Sequence, residues 1–398
     1  MSGRNQLVAF KAQPTLGTPV SGAGATVFRY NNGTAGSNLQ KAKIRSNESR
    51  SDGMSTRGRH GSRSVAGTYP ADATLGTFEA LIEALHRGTW DGSDLVITEA
   101  TSGGAASITT TTSTIVGNTG SWITVGLKKG DVIVLSGHST AANNGIPLRV
   151  LDLSATVITV PAGSLTLNAT PDTAFTVTRA KKLTNGTTRR LFTFEEIDQD
   201  LDQSLQFPDV RVSSLKLTMG TDAEIGFEFG VVGIGTVTAL SAGSSPAFTS
   251  PTETTGVGLV GVEAKIVLGG TPITTMTSLD AMFDIQCKTQ PVIGSNQGPD
   301  VYEGNMQPIT GNFTGIRNDQ TIFSALDAET TVALGLIMRD QAGTGYISLW
   351  LPFGTVDSVT KQLGVDGPLM ETGSFEFGKL LSGTAVDLSM AVWQSTAA

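Results

Sequence analysis

Few residues in this chain could do chemistry, and they are scattered. Three histidines, His60, His86 and His138, lie in separate segments, with no H-x-x-H or H-E-x-x-H spacing to bring two imidazoles to one helix face around zinc. Nor do they fall into a recognisable serine, histidine and aspartate triad. His86 ends an amphipathic stretch, where a cation beside helix carbonyls is favourable, so its reading is structural. Gly256 to Gly261, GVGLVG, fits G-x-G-x-x-G but precedes the strand-like VEAKIVLGG rather than a phosphate-binding helix, and no dinucleotide site is read there. The run holding Glu195, Glu196, Asp198, Asp200 and Asp202 lacks the glycine and terminal glutamate of a calcium loop and reads as a solvated or interfacial acidic face. Scattered carboxylates leave a glycosidase-type pair open without giving it positive support. The single cysteine, Cys287, rules out an internal disulfide framework, fits a reducing cytoplasm, and reads as a small buried residue rather than a nucleophile. No catalytic, cofactor or metal site is expected.

Charge is informative in its distribution. The 398 residues carry a net charge of −8, which argues against a whole-protein nucleic-acid binder. Yet seven basic residues, Lys41, Lys43, Arg45, Arg50, Arg57, Arg59 and Arg63, stand against two acids, Glu48 and Asp52, in one Ser- and Gly-rich segment that reads as a long loop. The opening MSGRNQLVAFKAQ is too polar for a signal peptide, and no run reaches the ~18 apolar residues of a membrane span.

The elements that must carry these residues are mostly strands. Charged residues make up only 16% of the chain and Gly is abundant at 48, a composition that favours short strands joined by tight turns. One helix stands out from Thr77 to Arg87, where Phe78, Leu81, Ile82 and Leu85 repeat with helical spacing, Thr77 is the expected N-cap and Gly88 the expected stop. A second copy of this landmark follows: sliding the chain sets Gly311 on Gly67, Phe313 on Tyr69, Phe323 on Phe78 and Leu326 on Leu81. Later, GFEFG (226 to 230) is echoed by SFEFG (374 to 378) in the same order, as a duplicated domain would leave it. The predicted organisation is a first unit in residues 1–94 and 183–234, an inserted Thr-rich small β-domain in 95–182, a linker in 235–256 and a second unit in 257–398. The fold class is all-β with short flanking helices: two tandem β-sandwich or barrel domains plus the insertion.

With the chain laid out in this order, it resembles siphovirus-type bacteriophage tail tube proteins of the tandem-domain form. The resemblance is carried by LVAFKAQPTLGTPV, by the G-x-x-x-G-T-Y-P turn into FEALIEALHRGTW, and by VRVSSLKLTM, LGGTPITTMTSLDAMFDI and NMQPITGNFTGIRNDQTIFSAL. It covers residues 1–94 and 183–398. It implies a structural virion protein without enzymatic activity, whose inner sheets join around a ring, with rings stacked into a conduit for the genome. A duplicated chain implies a trimer with six tube domains, the alternative being a hexamer. The implied companions are the tape-measure protein and DNA in the lumen, and tail terminator and distal tail proteins at the ends. Assembly is expected in the host cytoplasm, with no membrane partner. The basic loop, with Arg45, Arg50, Arg57, Arg59 and Arg63, is expected to reach the neighbouring ring, with Glu195 to Asp202 as its acidic partner. The competing readings are a carbohydrate-binding or adhesive surface β-protein, which would need more than 6% aromatic residues for its sugar platforms, and a virion-associated hydrolase.

Overall fold

The computed structural model describes residues 5–31, 33, 35–363, 367–380 and 386–398. Strands β1 (Gln6–Gln13), β2 (Thr26–Phe28), β3 (Gly36–Ile44) and β4 (Arg59–Asp72) precede helix α1 (Glu79–His86). Short strands β5 (Leu95–Thr98), β6 (Ile108–Thr110), β7 (Thr114–Gly117), β8 (Val132–Ser136), β9 (Pro147–Arg149), β10 (Asp152–Leu153), β11 (Val157–Thr159), β12 (Asn168–Asp172) and β13 (Thr176–Arg179) come next. Then follow β14 (Lys181–Thr184), β15 (Leu191–Asp198), β16 (Gln203–Gly220), β17 (Gly226–Gly233) and β18 (Thr238–Leu240). The second half holds β19 (Lys265–Leu268), β20 (Thr271–Ile273), β21 (Met276–Asp284), β22 (Lys288–Thr289), β23 (Val301–Tyr302), β24 (Ile309–Ile316), α2 (Thr321–Asp327), β25 (Val332–Arg339), β26 (Tyr346–Lys361), β27 (Met370–Phe377) and β28 (Val392–Ser395). The chain is all-β with short helices, as its composition requires.

The first unit is a two-sheet sandwich. Alternation decides which face each strand buries: in β17, Phe227, Phe229 and Val231 turn to the core while Glu228 faces out. One sheet runs β2-β1-β15-β16 and the other β3-β4-β17-β16, so the long strand β16 passes from one to the other. It bends where Pro208 and Asp209 bulge out of the β15 pairing, with Asp209 at φ 59°. Between the sheets Tyr69 stacks on Phe194 with ring centroids 5.2 Å apart, and Phe28 meets Phe229 edge-on at 6.1 Å.

The second unit repeats this wiring: β20-β19-β25-β26 forms one sheet and β21-β24-β27-β26 the other. Both irregularities of β16 recur in β26. One shift carries Phe207 and Val210, which flank the Pro208 bulge, onto Leu351 and Gly354, which flank Pro352, and carries the second irregularity after Val212 onto that after Val356. The same shift sets Val231 on Phe375, and since Val231 pairs with Gly67 and Phe375 with Gly311, the match of Gly67 with Gly311 and Tyr69 with Phe313 is structural. The FEFG echo is not: Phe229 lies opposite Tyr69, whereas Phe313 lies opposite Gly373, four residues before Phe377. Phe323 is also misplaced by the sequence match, because Ile322, Ala325 and Leu326 pack on the core while Phe323 is 48% exposed; Ile322 takes the place of Phe78.

The insertion has its own core around Trp122, Ile133, Leu135 and Phe175, between a sheet ordered β10-β11-β7-β6-β12 and another ordered β5-β13-β8-β9. Its C-terminal boundary falls earlier than the expected 182, because Lys181 and Lys182 already belong to β14, paired with β28. The insertion is clasped to the second unit. Buried Arg149 donates from Nη2 to the carbonyls of Leu336 at 2.6 Å and Leu349 at 3.1 Å, with its guanidinium 5.5 Å from the centroid of the Trp350 ring, and burial pushes its pKa down to about 9. Gly130, at φ 90°, lies so close to the Trp350 ring that a Cβ would overlap it. The stretch 235–256 is no free linker: β18 pairs with β16, Phe248 is fully buried, and Thr252 accepts the Val27 N–H and donates its own to the Ala25 carbonyl.

Helix α1 starts at Glu79 rather than Thr77, with Phe78 in the N-cap position. The hydroxyl of Thr77 is engaged with Thr74 and Thr254 instead, and Glu79 Oε1 accepts the Gly76 N–H at 2.9 Å. The helix ends in a left-handed Arg87, one residue before Gly88. His86 is not the helix-end cation expected from sequence. It is fully buried, its Nε2 accepts the Trp393 indole N–H at 2.8 Å, and burial pushes its pKa down to about 3. Because the folded value lies below the unfolded one, His86 contributes fully above pH 6.5, and that contribution is lost as pH falls toward 3, by about 1.4 kcal/mol per pH unit. His86→Gln, which keeps an acceptor but does not titrate, is expected to flatten the fall in melting temperature between pH 6.5 and 4.5; an unchanged slope would exclude His86 as its source.

Candidate assembly interface

The feature that sets this molecule apart is a sheet that does not stop at the boundary between its units. The C-terminal half of β16 pairs with β17 on one side and with β21 of the second unit on the other, Ser214 opposite Asp284 through Gly220 opposite Ser278. One sheet of each unit thus fuses with one of the other, in the order β3-β4-β17-β16-β21-β24-β27-β26. One face of this sheet lies on the core; the other presents polar side chains, among them Thr68, Lys216, Thr218, Glu228, Thr310, Asn312, Thr372 and Glu376. Its two ends are open among the described residues: β3 pairs only with β4, and Ser358–Lys361 of β26 pairs only with β27. Unpaired backbone donors and acceptors along such edges invite another strand.

The junction inside the chain is reinforced electrostatically. The connection between β21 and β24 folds back on the first unit. There Glu303, almost fully buried, accepts from Arg211 Nη1 at 2.7 Å, with Arg189 at 3.8 Å and Arg87 at 4.0 Å, while Asp300 meets Arg211 at 3.2 Å. Cys287 lies on this seam, its N–H donating to Ser213 Oγ at 3.3 Å and its thiol to the Val212 carbonyl at 3.6 Å. Burial pushes the thiol up to about 12, so it stays protonated and is a packing residue.

The residues singled out in the sequence fall in three settings. Arg45, Arg50 and Arg57 stand exposed in the connection between β3 and β4, with Arg50 paired to Asp52 at 3.0 Å. Arg59 and Arg63 are not in that loop: β4 begins at Arg59, and Arg63, paired opposite Lys41, donates its backbone N–H to Asn296 at 2.8 Å. The acidic residues are largely engaged within the chain. Glu195 is fully buried and accepts from Ser204, Ala247 and Phe248; Glu196 accepts from Tyr69 and Ser37; Asp198 and Asp200 accept from Gln6 and Asn5. Burial raises the Glu196 pKa, against these two hydrogen bonds. The stretch from Gln199 to Leu201 is a 3-10 turn closed by a left-handed Asp202. Because β4 and β16 both run antiparallel to β17, the basic loop and this acidic turn enter the sheet from the same end.

An open, two-unit sheet with free edges and a polar outer face is a geometry suited to a protein that assembles with copies of itself. A family model described as phage tail tube protein matches residues 3–378. The chain belongs to that family. No curated protein matches it. As a tail tube protein it is a structural component of the virion tail that assembles with itself and with other tail proteins. Sequence reasoning missed the two sheet edges, although the repeated Pro208 and Pro352 in VRV- and GTV-containing strands were a signal that β16 and β26 correspond.

Arg211→Ala is expected to leave buried Glu303 short of its closest partner and to destabilise the protein by about 3 kcal/mol in urea unfolding, whereas Arg211→Met combined with Glu303→Leu should cost much less. Equal losses from the two would show that the charge pair is not what the junction relies on.

Proposed function

We propose that three copies of this tail tube protein close a ring of six tube units and that such rings stack into the conduit through which the genome passes from capsid to host. The observation that supports this most directly is the β16–β21 pairing, which shows how one unit accepts the next. Its counterparts are the free edge of β26 and the free edge of β3. Applying the shifts that relate the two units gives the register between copies: Ser358 of one copy opposite Gln40 of the next, Val359 opposite Leu39, Thr360 opposite Asn38. Closure in this manner leaves no exposed inner edge.

The polar outer face of the fused sheet then lines the lumen. Its exposed or half-exposed acids Glu228, Asp280 and Glu376 outnumber Lys216, and a surface short of clustered bases does not hold DNA phosphates by counterion release, so the duplex slides. The same bore would take the tape-measure protein during assembly in the host cytoplasm, with terminator and distal tail proteins capping the stack. In a background lacking the native thiol (Cys287→Ser), Thr360→Cys with Asn38→Cys should give, on oxidation, a covalent species of three chains, because cross-strand Cα distances of about 4.5–5.5 Å suit a disulfide. Species of six chains would establish a hexamer, and no crosslink would overturn the register.

The tip of the basic loop extends from the end of the sheet opposite the β16–β17 turn, where Asp222 and Glu224 are exposed. In a head-to-tail stack these two ends meet, which makes that turn, rather than Glu195 to Asp202, the partner for Arg45, Arg50 and Arg57 of the adjoining ring. Single exposed ion pairs are worth only about 0–1 kcal/mol, but they are repeated around the ring. Changing the three arginines together to Glu should leave rings of normal mass that form only short tubes by electron microscopy; tubes of parental length would refute the assignment.

A further inference from the structure

A ring built in this way has two kinds of junction, one within each chain and one between chains. We infer that the junction between chains repeats the internal one with its charges exchanged, so that Lys43 and Arg59 of one copy dock on Asp357, Glu376 and Glu329 of its neighbour. This rests on the ring reading above and adds to it the partner chemistry of each edge.

The internal junction supplies the template. Its incoming arm carries the acids Glu303 and Asp300 and the neutral thiol of Cys287; its receiving body is basic, with Arg211, Arg189 and Arg87. The relation that sets Gly67 on Gly311 and Tyr69 on Phe313, continued to the start of β4, puts Arg59 where Glu303 stands. Continued along β3, whose Ser37 pairs with Gly67, it puts Lys43 where Cys287 stands. The arm that a neighbour would receive is therefore basic.

The receiving body changes sign as well. The shift that superposes the β16 and β26 irregularities sets Asp357 at the place of Ser213, the residue against which Cys287 docks, so Lys43 arrives over Asp357. It sets Thr355 on Arg211, and the residue paired across from that position changes from Val232 to Glu376. Counted from the paired bulge residues Phe192 and Val332, Glu329 replaces Arg189. Lys43, Arg59, Glu329, Asp357 and Glu376 are all exposed, whereas Arg211 and Glu303 at the internal junction are buried. Their exposure is that of a face awaiting its counterpart.

The reversal has a consequence for specificity. The acidic arm of a second unit meets like charge on the body of another second unit, and the basic arm of a first unit meets like charge on the body of another first unit. Units therefore join only in alternation, and a chain whose internal junction has opened cannot offer β21 in place of β3 to a neighbour.

The test uses the full-length protein at low ionic strength, read by mass photometry. Lys43→Glu with Arg59→Glu, and separately Asp357→Lys with Glu376→Lys, are each expected to raise the concentration needed for ring formation at least tenfold while melting as the parent does. All four substitutions in one chain restore the pairing in mirror image and should regain parental rings. Carbodiimide coupling of parental rings, which joins lysine to carboxylate without a spacer, should yield a Lys43–Asp357 peptide that is absent from the monomer fraction. Rings from either two-site variant at the parental concentration, no recovery in the four-site variant, or coupling of Lys43 to Asp222 or Glu224 would overturn the inference while leaving the ring itself standing. A parent that forms no ring at all overturns both.

Discussion

Everything in this architecture depends on the backbone pairing of β16 with β21. It converts two sandwiches into one fused sheet over a single continuous core, which includes Leu215 and Phe229 of the first unit together with Phe283 and Phe375 of the second. A ladder of main-chain hydrogen bonds is indifferent to side-chain identity, so the same contact can be reused wherever the strand geometry recurs. It recurs in β26, where the Pro352 bend and the second bulge are kept although few side chains are. The bulges matter because they turn the strand out of one sheet and into the other, leaving its C-terminal half free to receive a partner on the side that β15 or β25 has vacated.

Duplication did not leave two equal units. In the first, α1 is sunk into the core through Phe78, Leu81, Ile82 and Leu85 and is tied by His86 to Trp393 and by Glu79 to Ser395. Trp393 belongs to β28, which pairs with both β14 and β26, so the C-terminal strand reports the presence of both units and of the link to the insertion. In the second unit α2 has no fully buried residue and lies over an open groove. The insertion packs instead on the sheet of that unit formed by β20, β19, β25 and β26. Its grip combines apolar packing of Val132 and Ala180 on Ile337 and Tyr346 with a buried salt bridge of Lys182 to Asp131 at 2.5 Å, and Asp131, whose pKa burial raises, is held against that rise by Lys182 and Arg179.

As a tail tube protein the chain acts through assembly, and its buried charges serve the fold that presents the sheet edges. Five of the buried ionisable residues, Arg149, Arg211, Glu303, Asp131 and Glu195, bind other parts of the chain at places where segments remote in sequence meet. Breaking one partner of such a pair is costly, so these residues fix which surfaces may come together more than they add to stability.

The sequence by itself determined the class of fold, the presence of a repeat and the family, because alternation, turn chemistry and the order of short motifs are local properties. It placed Gly67 on Gly311 correctly, since both sit at the same point of a strand leading into a helix. It failed where a residue's setting depends on chain far away. FEFG looked like a repeat because Phe and Gly suit any half-buried strand, but only the pairing with β4 and β24 fixes register, and that register shifts the match by four residues. Glu195 looked like a surface acid until Ala247 and Phe248, from a stretch that reads as a linker, supplied the N–H groups that bury it. His86 looked like a helix-end cation until Trp393 supplied a donor and removed it from water. Which edges stay open was likewise settled only when β16 met β21, because an edge is defined by the strand that is missing beside it and no local run of residues encodes that.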